Sequence, residues 1–338
     1  MTVEPGPAPG PGDAGGLFAP VVTGWAIPDP RVLPTAPVTR FAPAPTGYLH
    51  IGHLVNALYT WGLARAAGGR VILRVEDHDR QRSRPEFEAA LLDDLDRLGL
   101  APDEPPGGTG AFRGGTTPYR QSDAGPAYDA ALSGLRDQGL VYACACSRTT
   151  FAAYEAVRGR AWRGIGCPGG CRERALPEEP GTGLRVAVGA GSERWVDLLA
   201  GPLVDEPAAT GDPLLRDRAG NWTSAFCVVV DDARHAVDLV VRGRDLLHAT
   251  PVQLRLARLM GRTLPPQYLH HPLVRRVSGQ KLSKAEGDTA VRLLLDAGRT
   301  PAELFGLAAR LAGLQADATP IDPSDLAAPF RASAPSPT

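Results

Sequence analysis

The chain has 338 residues, of which 43% are hydrophobic and 22% charged, and a formal net charge of -1, which is typical of one or two globular domains. No stretch approaches the roughly 18 apolar residues of a membrane-spanning helix, and the Pro- and Gly-rich start lacks the basic and apolar regions of a secretory signal. We therefore expect a cytoplasmic protein without membrane contact, and not a general nucleic-acid coat protein, although a local arginine patch could bind a specific RNA.

The first part of the chain predicts a disordered tail followed by alternating strands and helices. Residues 1–36 are rich in Pro, Gly and Ala and show no sustained periodicity. The predicted elements that follow are, in order, a strand from Val38 to Phe41, a helix from about Gly52 to Ala67 that Gly68-Gly69 ends, a strand from Val71 to Val75 and a helix from Arg84 to Leu98. This order indicates a parallel α/β sheet, and we place its first half at 37–140.

The stretch from 141 to 221 breaks this rhythm with a cysteine cluster, many glycines and short strand-like pieces such as Gly183 to Val188. We interpret it as an inserted module. The α/β pattern resumes over 222–280, with a buried strand from Ala225 to Val230, a strand from Val237 to Val241 and a helix from about Asp245 to Met260. The last part, 281–325, adds one helix from about Pro301 to Leu314. The sequence thus predicts an α/β fold whose parallel sheet is split by an insertion.

The lysines of the chain are concentrated at one place. Of the 36 basic residues only Lys281 and Lys284 are lysines, and both lie in one Lys-Leu-Ser-Lys tetrapeptide. A compact ammonium on a flexible stem is not interchangeable with a planar guanidinium, so the pair indicates a site that needs point charges. Chance clustering is the alternative.

A second motif, from Pro45 to His53, lies between the first strand and the first helix. A helix N-terminus at the carboxyl end of a parallel strand offers backbone N–H groups and a positive dipole end to phosphate. His50 and His53 could donate hydrogen bonds to phosphate oxygens as charge builds in a transition state, and Gly52 lets a ligand approach the backbone closely. The alternative is a loop with two surface histidines.

These two motifs together resemble the signature pair of class I aminoacyl-tRNA synthetases. The segments 40–47, 74–79 and 241–247, which read RFAPAPTG, RVEDHD and VRGRDLL, are similar to the glutamyl subgroup of that class. The resemblance covers about residues 38–290. It is greatest to the truncated glutamyl-queuosine tRNA(Asp) synthetases, because the chain after Lys284 leaves no room for an anticodon-binding domain. It implies a Rossmann-type nucleotide-binding domain, and we expect a monomer.

The resemblance also implies a reaction. ATP, with magnesium, would activate L-glutamate to glutamyl-adenylate without tRNA, and the glutamate would then pass to the queuosine at the wobble position of tRNA(Asp). One alternative is aminoacyl transfer to another acceptor, such as a tRNA 3′ end or a small molecule. Another is a non-catalytic paralogue that binds tRNA or a nucleotide.

Roles for individual residues follow from the motif positions. By resemblance, Arg40 and Arg242 bind the substrate glutamate, since a guanidinium offers a carboxylate bidentate hydrogen bonds, and Glu76 holds the α-ammonium group. The residues implied to grip the ATP phosphates are His50, Gly52, His53, Lys281 and Lys284, with Lys284 following the leaving pyrophosphate. The rest of the predicted glutamate site is Phe41, Ala42, Pro43, Ala44 and Ser224.

Structural alternatives exist for several of these polar residues. Glu76 could belong, with Asp77 and Asp79, to a solvated strand end. Arg242 could simply pair with Asp245. The Asp231-Asp232 dipeptide could cap the strand predicted before it.

Two positions depart from the family pattern. Members of the family commonly place a glutamate-contacting tyrosine seven residues before the first aspartate of the Val-Val-Asp-Asp segment, and that position here is Ser224, with Trp222 nearby. A hydroxyl persists, but the ring and its reach do not. Ala44 replaces the family serine in the first loop, where backbone amides could still serve.

Four of the five cysteines fall within 28 residues. Cys144, Cys146, Cys167 and Cys171 suffice for a tetrahedral thiolate site without an open position, which is typical of structural zinc. The resembling family usually has tyrosine as the third ligand, where this chain has Cys167. Two disulfides are the alternative for these residues. Cys227, in an apolar run, is predicted to be a core residue.

The sequence gives only weak indications of which residues contact RNA. The arginines around the cysteines are Arg158, Arg160, Arg163, Arg172 and Arg174. The resemblance implies that the inserted module contacts the tRNA, but a solvated basic face is equally compatible with these residues. His270 and His271 lie in a strand-like run and are predicted to be hydrogen-bonded core histidines.

Overall fold

The computed structural model of the protein describes residues 28–147, 149–150, 166–167, 170–274 and 290–331, and the backbone of 18–19 and 275–276. Its strands are β1 Phe18–Ala19, β2 Val38–Phe41, β3 Arg70–Leu73, β4 Val141–Cys144, β5 Gly183–Val186, β6 Glu193–Asp197, β7 Gly201–Asp205, β8 Leu214–Arg216, β9 Leu239–Gly243, β10 Gln267–His271 and β11 Arg275–Arg276. Its α-helices are α1 Ile51–Ala66, α2 Pro85–Arg97, α3 Gly110–Arg113, α4 Gly125–Asp137, α5 Gly170–Glu173, α6 Ser224–Arg234, α7 Thr250–Leu259, α8 Val291–Asp296, α9 Pro301–Leu311 and α10 Ala328–Arg331. Among the described residues, no helix combines the length and apolar content that a membrane crossing requires.

The central sheet is parallel, which confirms the predicted α/β fold. Strand β10 pairs in parallel with β9 on one side and with β6 on the other, and β7 adds to β6 in the antiparallel sense. Strands β2 and β3 form a second parallel pair. This pair lies beside β9: the N–H of Asp238, the residue before β9, donates to the carbonyl of Val38 in β2 at 3.0 Å. Register sets His270 of β10 directly opposite Arg242 of β9, so their side chains share one face of the sheet.

Helix α1 forms the centre of the main hydrophobic core. The ring of His50 caps its first turn, and Gly68, with φ +67°, follows its end as the sequence predicts. Most side chains from Ile51 to Ala64 are buried against the sheet and against α9 and α10. Gly62 must be a glycine here, because a Cβ atom would lie 2.2 Å from the ring of Phe330.

Part of the predicted tail belongs to the fold. Pro30–Val32 form a 3-10 helix that begins at Asp29, whose carboxylate accepts from the N–H of Arg31. The following residue, Leu33, is buried in the main core. Ordered packing among the described residues therefore begins before the first strand of the sheet.

The stretch from 141 to 221 contributes to two sheets. Strands β4, β5 and β8 form a small antiparallel sheet of their own. Strands β6 and β7, which also lie in the predicted insertion, instead extend the central sheet through the pairing of Asp197 with Tyr268. The stretch therefore adds an outer module and also completes one edge of the parallel sheet.

The predicted strand from Ala225 to Val230 is wrong, because these residues lie in helix α6. A short run of apolar residues cannot distinguish a buried strand from a buried helix by periodicity alone. Helix α6 is buried continuously from Phe226 to Asp232, so almost every side of it is apolar. Asp231 and Asp232 accordingly do not cap a strand but project from this helix into the interior.

The helix predicted from Asp245 begins later. Arg244–Ala249 form a 3-10 turn, and α7 starts at Thr250. Pro251 lies in the first turn of α7. Backbone N–H groups in the first turn have no acceptor within the helix, so a proline costs no hydrogen bond there, and its fixed φ favours helix initiation.

Candidate active site

A cavity of about 460 Å³ opens where β2 and β9 end and α1 begins. It collects every described residue of the predicted ATP and glutamate sites, namely Arg40, Phe41, Ala42, Pro43, Ala44, His50, Gly52, His53, Glu76, Ser224 and Arg242. These residues come from separate parts of the sequence, and the parallel topology brings them together at the carboxyl ends of the strands, where open α/β sheets bind ligands.

The cavity also contains polar residues that the sequence analysis missed. Asn56 lies one turn after His53 on α1, and this spacing places the two on one helix face. Its amide Nδ2 lies 3.1 Å from Nε2 of His271. Gln253 of α7 also lines the cavity, but it has no local motif that could have identified it.

His50 and His53 form a reciprocal cap at the N-terminus of α1. The Nδ1 atom of His50 accepts from the N–H of Gly52 at 3.1 Å, and Nδ1 of His53 accepts from the N–H of His50 at 3.0 Å. An imidazole that accepts at Nδ1 carries its proton on Nε2 when it is neutral. The backbone therefore sets a tautomer in which both rings present an Nε2–H donor, beside the positive end of the helix dipole.

A buried ion network supports the floor of the cavity. Asp232 accepts from Nε of Arg40 at 3.1 Å and from Nη1 of Arg74 at 2.7 Å, and Nη2 of Arg74 donates to Oε1 of Glu76 at 2.8 Å. Burial alone would raise the pKa of Asp232, but the two guanidinium groups lower this pKa to about 2. Because Arg74 is fully buried between two carboxylates, it fixes Glu76 and Arg40 relative to each other.

Arg242 has a different environment. Its side chain donates from Nε to Nε2 of His270 at 2.9 Å, from Nη1 to Oε1 of Gln253 at 2.7 Å and from Nη2 to Oγ1 of Thr250 at 2.7 Å. Gln253 and Thr250 are neutral, and His270 can accept this bond only when its ring is neutral. Asp245, the alternative partner considered from the sequence, is not among these three residues. Burial lowers the pKa of Arg242 to about 10, so the group remains a cation near neutral pH.

Lys281 and Lys284 lie outside the described residues, but the chain on both sides of 277–289 reaches the cavity. Val274 lines it on one side. On the other side Ala290 forms a β-bridge with His50, and the N–H of Val291 donates to the carbonyl of Leu49 at 2.8 Å. The chain on one side of this segment therefore lies at the cavity wall, and the chain on the other side lies beside the start of α1.

Ser224 is an exposed residue at the start of α6 and lines the cavity. Trp222 does not replace the missing tyrosine ring. It packs against Tyr128 and Phe226, with the guanidinium carbon of Arg216 5.0 Å from the ring centroid. The cavity therefore has no aromatic side chain from this segment.

The four clustered cysteines form a separate site, in which their sulfur atoms lie within 4.8 Å of one another. Sγ of Cys146 is 3.8 Å from Sγ of Cys167 and 3.4 Å from Sγ of Cys171. A tetrahedral zinc with bonds of about 2.3 Å requires sulfur separations of about 3.8 Å, so the set fits this metal. None of these four cysteines forms a disulfide in the structure, which does not support the disulfide alternative.

Two effects act on the charge of the cysteine sulfurs. A hydrogen bond with Cys167 and burial raise the pKa of Cys144, and burial raises the pKa of Cys146 to about 12, whereas nearby donors favour thiolates. Nε of the buried Arg185 donates to Sγ of Cys144 at 3.1 Å, and the N–H of Cys146 lies 3.4 Å from the same sulfur. Such donors stabilise the negative charge of a four-thiolate site. Cys227 lies elsewhere, fully buried in α6, which confirms its prediction as a core residue.

The remaining predicted residues fall into two groups. Arg172 and Arg174 are exposed next to the buried Cys171, whereas Arg158, Arg160 and Arg163 lie outside the described residues. His270 and His271 are buried and hydrogen-bonded as predicted, the first to Asp197 and the second to the carbonyl of Pro272.

Comparison with known proteins gives consistent matches. The family model for the catalytic domain of class I tRNA synthetases (E and Q) matches residues 37–319. A glutamyl-Q tRNA(Asp) synthetase of Symbiobacterium thermophilum is 40% identical over 295 residues, which cover 85% of this chain and 90% of that protein. A glutamate–tRNA ligase 2 of Methylobacterium sp. is 38% identical over 81% of this chain and 60% of its own length.

Among solved structures, a glutamate tRNA ligase from Elizabethkingia meningosepticum superposes with a TM-score of 0.63 at 28% identity. The superposition covers 75% of this chain and 53% of the ligase. The chain thus spans about half the length of that ligase, but nearly the whole length of the Symbiobacterium relative.

Proposed function

The chain belongs to the class I tRNA synthetases for glutamate and glutamine, a family of ATP-dependent ligases, and from this premise we propose that it glutamylates tRNA(Asp). In this proposal L-glutamate is activated by ATP to glutamyl-adenylate without tRNA. The glutamate is then transferred to the queuosine at the wobble position of tRNA(Asp). The match to a glutamyl-Q tRNA(Asp) synthetase over 90% of that protein supports this assignment.

The observation that carries the proposal is the position of Arg242. A guanidinium that is 6% exposed, and whose hydrogen bonds go to neutral groups, lines the same cavity as the N-terminus of α1. A buried cation is costly unless an anion accompanies it, and a helix N-terminus favours phosphate. The cavity therefore suits a carboxylate ligand beside a phosphate ligand.

We assign the two ends of glutamate to opposite sides of the cavity. Arg242 would bind the side-chain carboxylate through the N–H of Nη1 that its neutral partners do not use. Glu76, held by Arg74 at 2.8 Å, would bind the α-ammonium group by opposite charge. Arg40 would complete the pocket from β2, with Phe41, Ala42, Pro43, Ala44 and Ser224 as the remaining lining residues.

The chemistry needs positioning more than a protein nucleophile. An oxygen of the glutamate α-carboxylate forms a bond to the α-phosphorus of ATP, and the bond from this phosphorus to the bridging oxygen breaks, so that pyrophosphate leaves with the electron pair. Nε2–H of His50 and of His53 would donate to phosphate oxygens as charge develops, and Lys281 and Lys284 would follow the pyrophosphate. An acceptor group of queuosine then displaces AMP from the glutamyl carbon.

The rest of the assignment concerns metals, partners and domains. We assign zinc to the four cysteines as a structural ion, and magnesium to the ATP substrate. The outer module within 141–221, with its exposed Arg172 and Arg174, would contact tRNA. The halves at 37–140 and 222–280 would form the nucleotide-binding domain, and the protein would act as a monomer in the cytoplasm.

The decisive experiment is amino-acid-dependent exchange of labelled pyrophosphate into ATP, without tRNA, for each of the twenty amino acids. We expect exchange with glutamate alone. Exchange with a different amino acid would overturn the glutamate assignment. Exchange that appears only after tRNA is added would overturn tRNA-independent activation, and no exchange under either condition would indicate a non-catalytic paralogue.

The similarity to a glutamate–tRNA ligase 2 favours one second candidate, transfer to a tRNA 3′ end. Labelled glutamate offered with queuosine-containing tRNA(Asp), with a tRNA(Asp) transcript that lacks queuosine, and with tRNA(Glu) separates the two. We expect labelling of the first tRNA only. Labelling of tRNA(Glu), or equal labelling of both forms of tRNA(Asp), would favour the 3′-end ligase.

A further inference from the structure

Strand β6, at the far edge of the parallel sheet, contributes a buried carboxylate to the support of the cavity. Oδ2 of Asp197 accepts from Nδ1 of His270 at 2.7 Å and from the N–H of His270 at 3.0 Å. Its other oxygen accepts from the N–H groups of Leu199 and Ala200 at 3.0 and 2.7 Å. Both Asp197 and His270 are 1% exposed. Because both oxygens of Asp197 accept hydrogen bonds, the side chain fits this site as an ionised carboxylate.

This geometry decides which nitrogen of His270 carries the proton. Because Nδ1–H donates to Asp197, Nε2 of the neutral ring has a lone pair, and the Nε–H of Arg242 donates to it at 2.9 Å. Burial lowers the pKa of His270, although its bond to Asp197 opposes this shift. The ring therefore stays neutral and able to accept at Nε2 around neutral pH.

The other contacts of Arg242 hold the same orientation. Gln253 and Thr250 of α7 each accept from one terminal nitrogen at 2.7 Å. Tyr268 covers one face of the guanidinium, with its ring centroid 5.4 Å from the central carbon. A longer bond runs from Nη2 to the carbonyl of Leu246 at 3.4 Å. A guanidinium has five N–H donors, so these contacts fix its plane and leave one N–H, on Nη1, for a ligand in the cavity.

We propose that Asp197 and His270 are positioning residues for Arg242 and thereby set the affinity for the side-chain carboxylate of the amino-acid substrate. The inference rests on the proposed function, since it takes glutamate as the ligand of Arg242. It assigns a second role to the stretch 141–221, besides the cysteine site. Strand β6 of this stretch carries Asp197, which orients Arg242 through His270.

Two substitutions at His270 distinguish a loss of Arg242 orientation from a general packing defect. His270→Asn keeps an amide N–H that can donate to Asp197 but has no acceptor that reaches Nε of Arg242. His270→Gln can place Oε1 near the position of Nε2 and so restores the acceptor. In pyrophosphate exchange we expect the KM for glutamate to rise about 10- to 100-fold in His270→Asn, because a hydrogen bond to a charged group is lost.

The same assay contains the internal controls. The KM for ATP is expected to stay within about 3-fold of wild type in both variants, and His270→Gln is expected to recover the glutamate KM to within about 5-fold. An unchanged glutamate KM in His270→Asn overturns the proposal. So does a parallel rise of both KM values, which would indicate a general structural defect.

A spectroscopic measurement keeps the proposal testable if His270→Asn does not fold or if the wild type shows no exchange. In protein labelled with ¹⁵N-histidine, we expect the His270 ring, assigned by its absence in His270→Gln, to be protonated at Nδ1 and unprotonated at Nε2 at pH 7. An Nε2-protonated ring or an imidazolium would overturn the positioning role whatever the activity. Absence of glutamate exchange together with the expected tautomer would instead overturn only the proposed function.

Discussion

The imidazole rings of His50 and His53 lie against each other, with their centroids 4.0 Å apart, and each ring accepts a backbone N–H of the helix that they begin. The nitrogen that stabilises the helix is thus Nδ1, whereas the nitrogen assigned to phosphate is Nε2. In the proposed function each of these side chains combines a structural contact through Nδ1 with a catalytic contact through Nε2, and a substitution can be chosen that removes only one of the two.

His50→Asn should separate these two contacts. The Asn side-chain oxygen can accept the N–H of Gly52 in place of Nδ1 but offers no donor at the position of Nε2. We expect the rate of glutamate-dependent pyrophosphate exchange to fall about 100-fold, as for loss of one transition-state donor, with a Tm within about 2 °C of wild type. His50→Ala is the matched variant, since it loses the cap as well and should cost about 1 kcal/mol of stability in addition. Wild-type exchange by His50→Asn would remove the phosphate role of His50.

Zinc content tests the cysteine site. We expect about one zinc per chain by elemental analysis, as for a structural four-thiolate site. Cys171→Ser should lose most of the metal and lower the Tm, because binding free energy of a structural metal is folding free energy. Cys227→Ala is the control, since this cysteine lies in α6 away from the cluster, and it should retain the zinc. A metal-free wild type with four thiols that react freely under native conditions would contradict the assignment.

The parts of the fold that local signals specify could be predicted from the sequence. Strand β2 and helix α1 lie where the apolar pattern and the Gly68 stop signal place them. The residues around the cavity could also be predicted from local signals, because they belong to short motifs at strand ends. The run from Ala225 to Val230 was not, since a helix buried on nearly every side is as continuously apolar as a buried strand.

The contacts that orient these motif residues could not be predicted. Arg74 joins Asp232 to Glu76, and Asp197 reaches His270 across 73 residues of sequence. The pairing of Arg74 with Asp232 and of Asp197 with His270 depends on which strands and helices become neighbours, and no periodicity or spacing in a single chain encodes that choice. The sequence therefore identified the residues that line the cavity more readily than the residues that hold them in place.

Ser224 allows a gain-of-function test. Its side chain is exposed at the mouth of the cavity, at the position where the resembling family has a tyrosine. Ser224→Tyr should add ring contact and a longer-reaching hydroxyl, and we expect the KM for glutamate to fall about 3- to 10-fold, as burial of a few tens of Å² would give. Ser224→Ala is the control and should change this KM by less than about 3-fold. A higher KM in the tyrosine variant would show that this position does not face the amino acid.

Asp94 of α2 is a buried carboxylate that should make stability depend on pH. Among the described residues neither of its oxygens has a hydrogen-bond partner, and Nε of Arg292 lies 3.6 Å from Oδ1. Burial raises the pKa of Asp94 from 3.8 to about 6. An acid whose pKa is higher in the folded state costs nothing below pH 3.8, where both states are protonated, and imposes its full cost above about pH 6.

Asp94→Asn removes this titration. The gap between 3.8 and about 6 corresponds to about 3 kcal/mol. We therefore expect the free energy of unfolding of the variant, relative to wild type, to rise by about 2 to 3 kcal/mol between pH 4 and pH 7. Denaturant titrations at several pH values measure this difference directly, and any constant cost of placing an amide at the site cancels from its pH dependence. A difference between Asp94→Asn and wild type that does not vary with pH would mean that the carboxylate is already solvated or paired in the folded protein.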